Sequence, residues 1–390
     1  MLKKQLIKCG WLIDGSGSRI KKNIMIKIED GTITDIFDYA AEDFIETIST
    51  DFSNDTILPC LIDAHVHLSL IGDFINSKKQ AETKSLYEQI KKIIDNNIKQ
   101  HLCYGIIAVR DGGCPNGYVI NFLKENYKQT LQILSPNYAL YKQGRYGNIL
   151  GKPVPSELTL SQAILKLSSI NHVKIINSGI NSISVFGKET QPQFDISELK
   201  EAVNTARRLG LKTMVHANGK IPVHNSLDSN CDSIEHGYFM GEDNLKIMAD
   251  KQIFWVPTVC PMEAIAKHEK YGKNKTDIAK QTLDSQIEQL SKAQEIGVKL
   301  AIGTDSGSPG VKHGESIIKE IALFIKAGFT IEETIKCASV NGAELLNLQY
   351  SGKILKGQNA SFIVCEGNPD NLPESIENIK AFYINGVNIF

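Results

Sequence analysis

The stretch Ile57-Leu58-Pro59-Cys60-Leu61-Ile62-Asp63-Ala64-His65-Val66-His67 joins a short apolar run to two histidines one residue apart. An apolar run of this length, followed by polar residues, indicates a buried β-strand. Alternate side chains of a strand point to the same face, so His65 and His67 can share one ion. A His-x-His motif also arises by chance, and histidines often serve only as hydrogen-bonding groups. The stretch predicts a metal site only if other parts of the chain supply further ligands.

The chain after residue 56 alternates short apolar runs with longer segments of helical spacing, which is typical of parallel sheets. Eight strands are predicted, at 57–63, 106–110, 131–135, 172–177, 212–216, 232–235, 253–257 and 298–303. Helices are predicted at 80–101, 157–170, 195–209, 242–250, 276–296, 314–327 and 330–346. Eight such units fit the size of a (β/α)8 barrel, about 250 residues plus insertions. We therefore predict an α/β protein whose residues 57–348 form a TIM-like barrel.

Both ends of the chain have a different pattern. Residues 1–56 contain short alternating runs such as Asn23-Ile24-Met25-Ile26-Lys27-Ile28, followed by the turn signal Glu29-Asp30-Gly31. Residues 349–390 return to β-type runs, including Ala360-Ser361-Phe362-Ile363-Val364-Cys365. The simplest interpretation is one small β-sandwich domain that 1–56 and 349–390 build together.

Composition limits the classes of partner. The 390 residues include 43 Lys and Arg against 44 Asp and Glu, a formal charge of -1, so no net field favours nucleic acid or an anionic membrane. No apolar stretch has the length of a signal peptide or a membrane span. The eight cysteines include no Cys-x-x-Cys pair, which indicates reduced thiols. We expect a cytoplasmic protein that binds a small molecule, with homo-oligomerisation open.

The predicted strands end in polar residues, and a barrel places its chemistry at the carboxyl ends of its strands. Six of these residues, four histidines with a lysine and an aspartate, are candidate ligands: His65, His67, Lys174, His216, His236 and Asp305. Imidazole and carboxylate ligands suit zinc. Lys174 would be costly to bury as a cation. That cost disappears if its amine is converted to a carbamate, an anion that bridges two metal ions.

The chain resembles the amidohydrolase superfamily. The resemblance rests on the opening stretch with Lys174, on Val215-His216-Ala217-Asn218-Gly219, on Ile234-Glu235-His236-Gly237 and on Gly303-Thr304-Asp305-Ser306. It extends to His313-Gly314 and to the tail from Gly352, and so covers nearly the whole chain. More narrowly, the chain is similar to the binuclear branch that includes prolidase-like enzymes related to Xaa-Pro dipeptidases and enzymes related to imidazolonepropionase.

The resemblance implies a role for each candidate ligand. His65, His67 and Asp305 would hold one divalent ion, expected to be zinc, and His216 and His236 a second. Lys174, carboxylated by CO2, and a hydroxide would bridge the two ions. Asp305 would act as the general base and then as the general acid. The implied activity is hydrolysis of a C–N amide bond, in a dipeptide or an N-acyl amino acid.

Three further residues are candidate substrate contacts. Tyr141 and Arg145 follow the third predicted strand and would bind a substrate carbonyl and carboxylate, since arginine matches a carboxylate bidentately. His313 follows the eighth strand. For each of the three, a solvent-exposed polar role is an equal alternative. Prolidase-like enzymes often carry a histidine in the segment 138–147, and this chain has none there.

Two alternative activities are weighed against amide hydrolysis. The same binuclear site would also suit a lactone, ester or phosphotriester. A mononuclear deaminase or cyclic-amidine hydrolase, also found in the superfamily, generally lacks the lysine and has a glutamate shortly after the fifth-strand histidine. In this chain Lys174 is present and Ala217-Asn218-Gly219-Lys220 follows His216, which disfavours the mononuclear class.

Overall fold

The computed structural model describes residues 4–40, 48–73, 84–125, 130–350 and 352–390. Its strands are β1 Lys4–Leu12, β2 Lys21–Glu29, β3 Thr32–Asp38, β4 Thr50–Pro59, β5 Leu61–Val66, β6 Ile106–Asp111, β7 Gln132–Leu134, β8 Ala139–Lys142, β9 Gly151–Val154, β10 His172–Ile176, β11 Lys212–Ala217, β12 Ser233–His236, β13 Phe254–Val256, β14 Phe362–Glu366, β15 Ile379–Ile384 and β16 Val387–Asn388.

The α-helices are α1 Lys84–Cys103, α2 Tyr118–Lys124, α3 Leu160–Leu165, α4 Ile196–Arg208, α5 Lys220–Asp228, α6 Glu242–Lys251, α7 Cys260–Ala266, α8 Lys273–Ile296, α9 Ser316–Lys326, α10 Ile331–Ala338 and α11 Val340–Leu346. Short 3-10 helices cover Glu269–Tyr271, Pro369–Asn371 and Glu374–Glu377. Among the described residues, no helix has the length and apolar content needed to cross a bilayer.

The two ends of the chain form one seven-stranded mixed sheet, in the order β16-β15-β14-β4-β1-β2-β3. Asp30 and Gly31 connect β2 to β3, and both have positive φ, the conformation that a two-residue hairpin turn requires. Strand β14 pairs with β4 and thereby attaches the C-terminal strands to the N-terminal ones. Ile7, Ile26 and Phe362 are fully buried in the core of this sheet. Strands from both ends of the chain therefore share one sheet, and the composite β-sandwich domain stays a prediction.

Two parallel sheets occupy the middle of the chain, in the orders β13-β12-β11-β10-β8-β9 and β5-β6-β7. The segment 299–306 connects them by hydrogen bonds. The amide of Trp255 in β13 donates to Lys299 O at 2.8 Å, and the amide of Ala64 in β5 donates to Ile302 O at 2.9 Å. Beyond the end of β7, the other edge strand of the smaller sheet, Ser135 O accepts from the amide of Asn171, the residue before β10, at 3.1 Å. The α/β class with parallel sheets is confirmed.

The apolar run 57–62 differs from its prediction as one strand. Residues up to Pro59 belong to β4 in the mixed sheet, whereas Leu61 begins β5 in a parallel sheet. All of these residues are buried, so the sequence has no hydrophobic periodicity from which the boundary between the two strands at Cys60 could be predicted. The predicted eighth strand, 298–303, is also different, because only isolated bridges such as Trp255–Leu300 form there. The division into domains at 56/57 and 348/349 stays a prediction.

Candidate metal centre

His65 and His67 lie at the carboxyl end of β5, beside the segment that carries Asp305. The amide of Asp305 donates to His65 O at 2.7 Å, and the amide of His67 donates to Ser306 O at 2.7 Å. Asp305 Oδ1 consequently lies 3.2 Å from His67 Nε2 and 3.7 Å from His65 Nε2. One candidate ligand atom from each of the three residues lies within 4.8 Å of the others. An ion about 2 Å from each donor fits this spacing.

His65, His67 and Asp305, together with Lys174, contain polar atoms that are buried without a hydrogen-bond partner in the described part of the chain. They are His65 Nε2, His67 Nδ1, Asp305 Oδ1 and Lys174 Nζ. A buried polar atom without a partner costs free energy, roughly 1–3 kcal/mol. Several such atoms around one point fit a site that a cation completes. The donors are imidazole nitrogens and carboxylate oxygens, the set that suits zinc.

Glu235 orients the ring of His65 from behind. His65 Nδ1 donates to Glu235 Oε2 at 2.7 Å, because a carboxylate accepts only, and this leaves Nε2 facing Asp305. Arg110 Nη2 donates to Glu235 Oε1 at 2.8 Å, and Arg110 Nε donates to Ala64 O at 2.8 Å. All three side chains are buried. A carboxylate that holds the second nitrogen of a histidine is a recurrent support for metal ligands.

His216 and His236 lie at the carboxyl ends of β11 and β12, next to the first group. Their ring centroids are 4.6 Å apart, and the His65 and His236 centroids are 5.0 Å apart. His216 Nε2 lies 3.1 Å from Gly179 O, and His236 Nδ1 lies 2.7 Å from Thr258 Oγ1. One nitrogen of each ring is thus held by the protein, and Nδ1 of His216 and Nε2 of His236 are left to bind a cation.

Lys174 is buried in β10 and completes the predicted set. Burial lowers its pKa to about 8, although the nearby carboxylates of Glu235 and Asp305 oppose this shift. Burial first and the Lys174 charge second lower the pKa of His65 and of His216. The lysine therefore lies close enough to both groups of ligands to act on their charge.

Two glycines next to the candidate ligands occupy positions at which any larger residue would clash. A Cβ on Gly112 would lie 2.3 Å from His67 Cε1, and a Cβ on Gly303 would lie 2.8 Å from His65 Cβ. His236, Thr258 and Asp305 have φ of 64°, 46° and 57°, values that non-glycine residues adopt at a cost. Such backbone strain is common at functional sites. Gly112 thus leaves room for the His67 ring.

The three predicted substrate contacts lie in different surroundings. Tyr141 in β8 is buried, with its ring against Gly147. Arg145 is exposed and donates from Nη2 to Gln191 O at 2.8 Å. His313 is buried, with Nε2 2.9 Å from Leu70 O and Nδ1 3.1 Å from His101 Nε2. Their contact with substrate stays a prediction.

Two tyrosines beside the ligands were not predicted. The Tyr146 ring lies 5.6 Å from the His216 ring, and burial with the Asp305 charge raises its pKa to about 12. Tyr238 stacks parallel to His236, with centroids 6.4 Å apart, and donates to Thr258 O at 3.2 Å. Tyr238 follows His236 by two residues, and this spacing could have identified Tyr238 from the sequence. Tyr146 lies in a loop without periodicity, so its direction could not be inferred.

Known proteins resemble this chain over most of its length. A solved structure of a Xaa-Pro dipeptidase with bound methionine superposes with a TM-score of 0.81 at 27% identity, covering 99% of each chain. The imidazolonepropionase of Christiangramia forsetii is 22% identical over 417 residues, covering 95% of this chain and 94% of that protein. The ochratoxinase of Aspergillus niger is 30% identical over 217 residues, which span 54% of this chain and 42% of that enzyme.

The family model described as the amidohydrolase family matches residues 56–389. The match includes both parallel sheets, the segment that carries Asp305 and the last strands of the mixed sheet. It confirms the resemblance inferred from the strand-end histidines. The chain belongs to the amidohydrolase family.

Proposed function

We propose that this chain hydrolyses the amide bond of a dipeptide or an N-acyl amino acid at a centre of two zinc ions. The observation that carries the proposal is the convergence of Lys174 and Asp305 with the four strand-end histidines. His65, His67 and Asp305 would hold one ion, and His216 and His236 the other. The likeness to the Xaa-Pro dipeptidase, 27% identical over 99% of the chain, supports a dipeptide-like substrate.

We also infer that the parallel strands close into an eight-stranded barrel. The segment 299–306 would be the eighth strand, since it bonds to β13 on one side and to β5 on the other. The contact between Asn171 and Ser135 would close the ring between β7 and β10. In such a barrel the four histidines and Asp305 lie at the carboxyl ends of the strands, where barrel enzymes place their active sites, and Lys174 lies within β10.

Lys174 would bridge the two ions as a carbamate. A pKa lowered to about 8 leaves roughly a tenth of the amine neutral at pH 7, and only the neutral amine has a lone pair to attack CO2. The ammonium group first loses one proton to give the neutral amine. The new N–C bond to CO2 then forms with loss of a second proton, so the cation becomes an anion and two protons are released to solvent. This conversion removes the cost of a buried ammonium group. The partnerless Nζ supports the proposal.

Asp305 would move the proton. Burial alone would raise the pKa of Asp305, but the adjacent His67 and His65 rings lower it overall. The carboxylate is therefore ionised at neutral pH and can accept a proton from water. Hydrolysis breaks the C–N bond, adds the hydroxyl to the carbonyl carbon and requires one proton on the departing nitrogen, which Asp305 would deliver. Bound metal ions supply the Lewis acidity that activates the water and polarises the carbonyl.

Metal analysis combined with turnover tests the proposal. Protein loaded with zinc and bicarbonate should contain about two ions per chain, and Lys174→Ala should retain about one. Lys246→Ala, an exposed lysine paired with Glu242, is the matched control and should retain two. Asp305→Asn should lower kcat by about 10²- to 10⁴-fold, the usual contribution of general acid–base catalysis.

A screen of dipeptides, N-acyl amino acids, lactones and phosphotriesters separates the remaining activities. Turnover of an amide supports the proposal. Turnover of lactones or phosphotriesters alone would replace it with the alternative that uses the same ligands. Full activity of Asp305→Asn with two bound ions would remove the role of that aspartate.

A further inference from the structure

An apolar surface borders the candidate metal centre on one side. It consists of Ile180, Val185, Phe186 and Phe239, here called the apolar rim. Ile180, Val185 and Phe186 are 63%, 53% and 43% exposed, unusual values for large apolar side chains so close together in the chain. The Phe186 and Phe239 rings meet edge to face, with centroids 5.3 Å apart, so the rim joins two loops.

Hydrogen bonds place the rim on the His216 and His236 side of the centre. Ile180 directly follows Gly179, whose carbonyl accepts from His216 Nε2 at 3.1 Å. The amide of Asn218, two residues after His216, donates to Ser178 Oγ at 2.9 Å. Phe239 follows His236 by three residues in the other loop. The rim is therefore attached to the two histidines rather than to a remote surface.

Asp305 Oδ1 lies beside the two histidines of β5, at 3.7 Å from His65 Nε2 and 3.2 Å from His67 Nε2, whereas the rim is attached to the loops of His216 and His236. On the proposed function, the leaving nitrogen must reach Asp305 to receive its proton. The substituent on the carbonyl carbon then extends away from Asp305, toward His216 and His236. Apolar walls beside a few polar groups are the usual design of a small-molecule site.

We propose that the rim binds the acyl side of the substrate, and that this acyl group is a large apolar one, aliphatic or aromatic. The proposal rests on amide hydrolysis for the direction of the substrate. It assigns specificity to Phe186 and Phe239, which are not among the candidate ligands. The substrate class becomes amides with an apolar acyl group.

Binding of straight-chain carboxylic acids, from two to eight carbons, tests the rim without turnover. Calorimetric titration of the zinc-loaded protein should give a Kd that falls about two- to fourfold per added methylene, as burial of a CH2 group predicts. Phe186→Ala and Phe239→Ala should flatten this dependence. The control Leu209→Ala should leave it unchanged, because Leu209 is 49% exposed beyond the end of α4, at the opposite end of β11 from His216.

Alkylamines of the same lengths test the direction and should bind without dependence on length. Length dependence for amines but not acids would overturn the acyl assignment. Equal Kd values for all acids would overturn the proposal, and so would an unchanged length dependence in both phenylalanine variants. The proposal would also be overturned if the acids showed no length dependence and the wild-type protein self-associated in a way that Phe186→Ala abolished. A slope for the acids without turnover of any amide would remove the proposed function alone, whereas amide turnover without a slope would remove only the rim.

Discussion

At the scale of single residues, the candidate centre depends on groups that hold ligands as much as on the ligands. Glu235 accepts from His65 and Arg110, and both contacts lie within 2.8 Å. The residue precedes His236 in the strand, and its side chain lies against His65 rather than beside its neighbour. Sequence could identify the strand end but not this contact, because the partners are 170 residues apart.

Glu235→Gln should weaken zinc binding about 10- to 100-fold, the usual effect of removing a residue that orients a metal ligand. A carboxamide has one acceptor oxygen, whereas Glu235 accepts from His65 Nδ1 with one oxygen and from Arg110 with the other. Competition with a chromophoric chelator measures the affinity, and circular dichroism checks the fold.

The matched control for this substitution is Glu242→Gln. Glu242 is exposed and pairs with two surface lysines, Lys246 and Lys292. The Glu242→Gln protein should bind zinc with the affinity of the wild type. Wild-type affinity in a folded Glu235→Gln protein would contradict the positioning role.

At the scale of elements, a buried histidine pair joins α1 to the loop after the Asp305 segment. His101, near the end of α1, has its Nε2 3.1 Å from His313 Nδ1, and Ser306 Oγ also lies 3.1 Å from that nitrogen. Burial lowers the pKa of His101 well below its usual value and that of His313 to about 4. Both rings are therefore neutral in the folded protein at pH 7.

This pair should make the folded state sensitive to acid. In the unfolded chain a histidine binds a proton near pH 6.5, whereas the folded pair resists protonation, so stability is present above about pH 6.5 and falls as pH decreases toward 4. His101→Gln should reduce the loss of unfolding free energy between pH 7.5 and 5, by at most about 2 kcal/mol for the one histidine that is removed.

Urea denaturation at the two pH values measures the effect. The exposed His224→Gln is the control and should keep the wild-type dependence. An equal pH dependence in His101→Gln and wild type would contradict the assignment. The pair was not predicted, because α1 and His313 are remote in sequence and no pattern indicates which histidines of a helix turn inward.

The boundaries of helices and strands are only partly predictable from the sequence. The prediction of one helix at 330–346 is wrong, because the chain forms α10 and α11, which meet at Ser339 with φ of -133°. The apolar spacing continues across both helices, so periodicity alone does not reveal the change of direction. The paired short strands β8 and β9 are not predicted from the sequence, since each has only four residues.

At the scale of the whole molecule, the mixed sheet ties both ends of the chain together. Strand β14 lies between β4 and β15, and Phe362 at its start is fully buried and stacks on Tyr383 with centroids 4.7 Å apart. The residues of this core form a cluster separate from that of the parallel sheets. Its packing should therefore influence stability more than the chemistry of the centre.

Phe362→Ala should lower the unfolding free energy by about 3–5 kcal/mol, the usual cost of truncating a buried phenylalanine. Chemical denaturation measures the change, and zinc content at low temperature should stay that of wild type. Val387→Ala, at a position 62% exposed in β16, should change stability by less than about 0.5 kcal/mol. Loss of zinc from a still folded Phe362→Ala protein would contradict the separation.

The sequence by itself determined the α/β class, the pairing of the two chain ends and the family, because these depend on local periodicity and on ligand types at strand ends. It also placed His65, His67, Lys174, His216, His236 and Asp305 as one candidate set. The tertiary structure decided how their rings are oriented, through Glu235, Thr258 and Gly179, and which apolar side chains border them. Hydrogen bonds and packing between residues far apart in the chain set those features, and no local pattern records them.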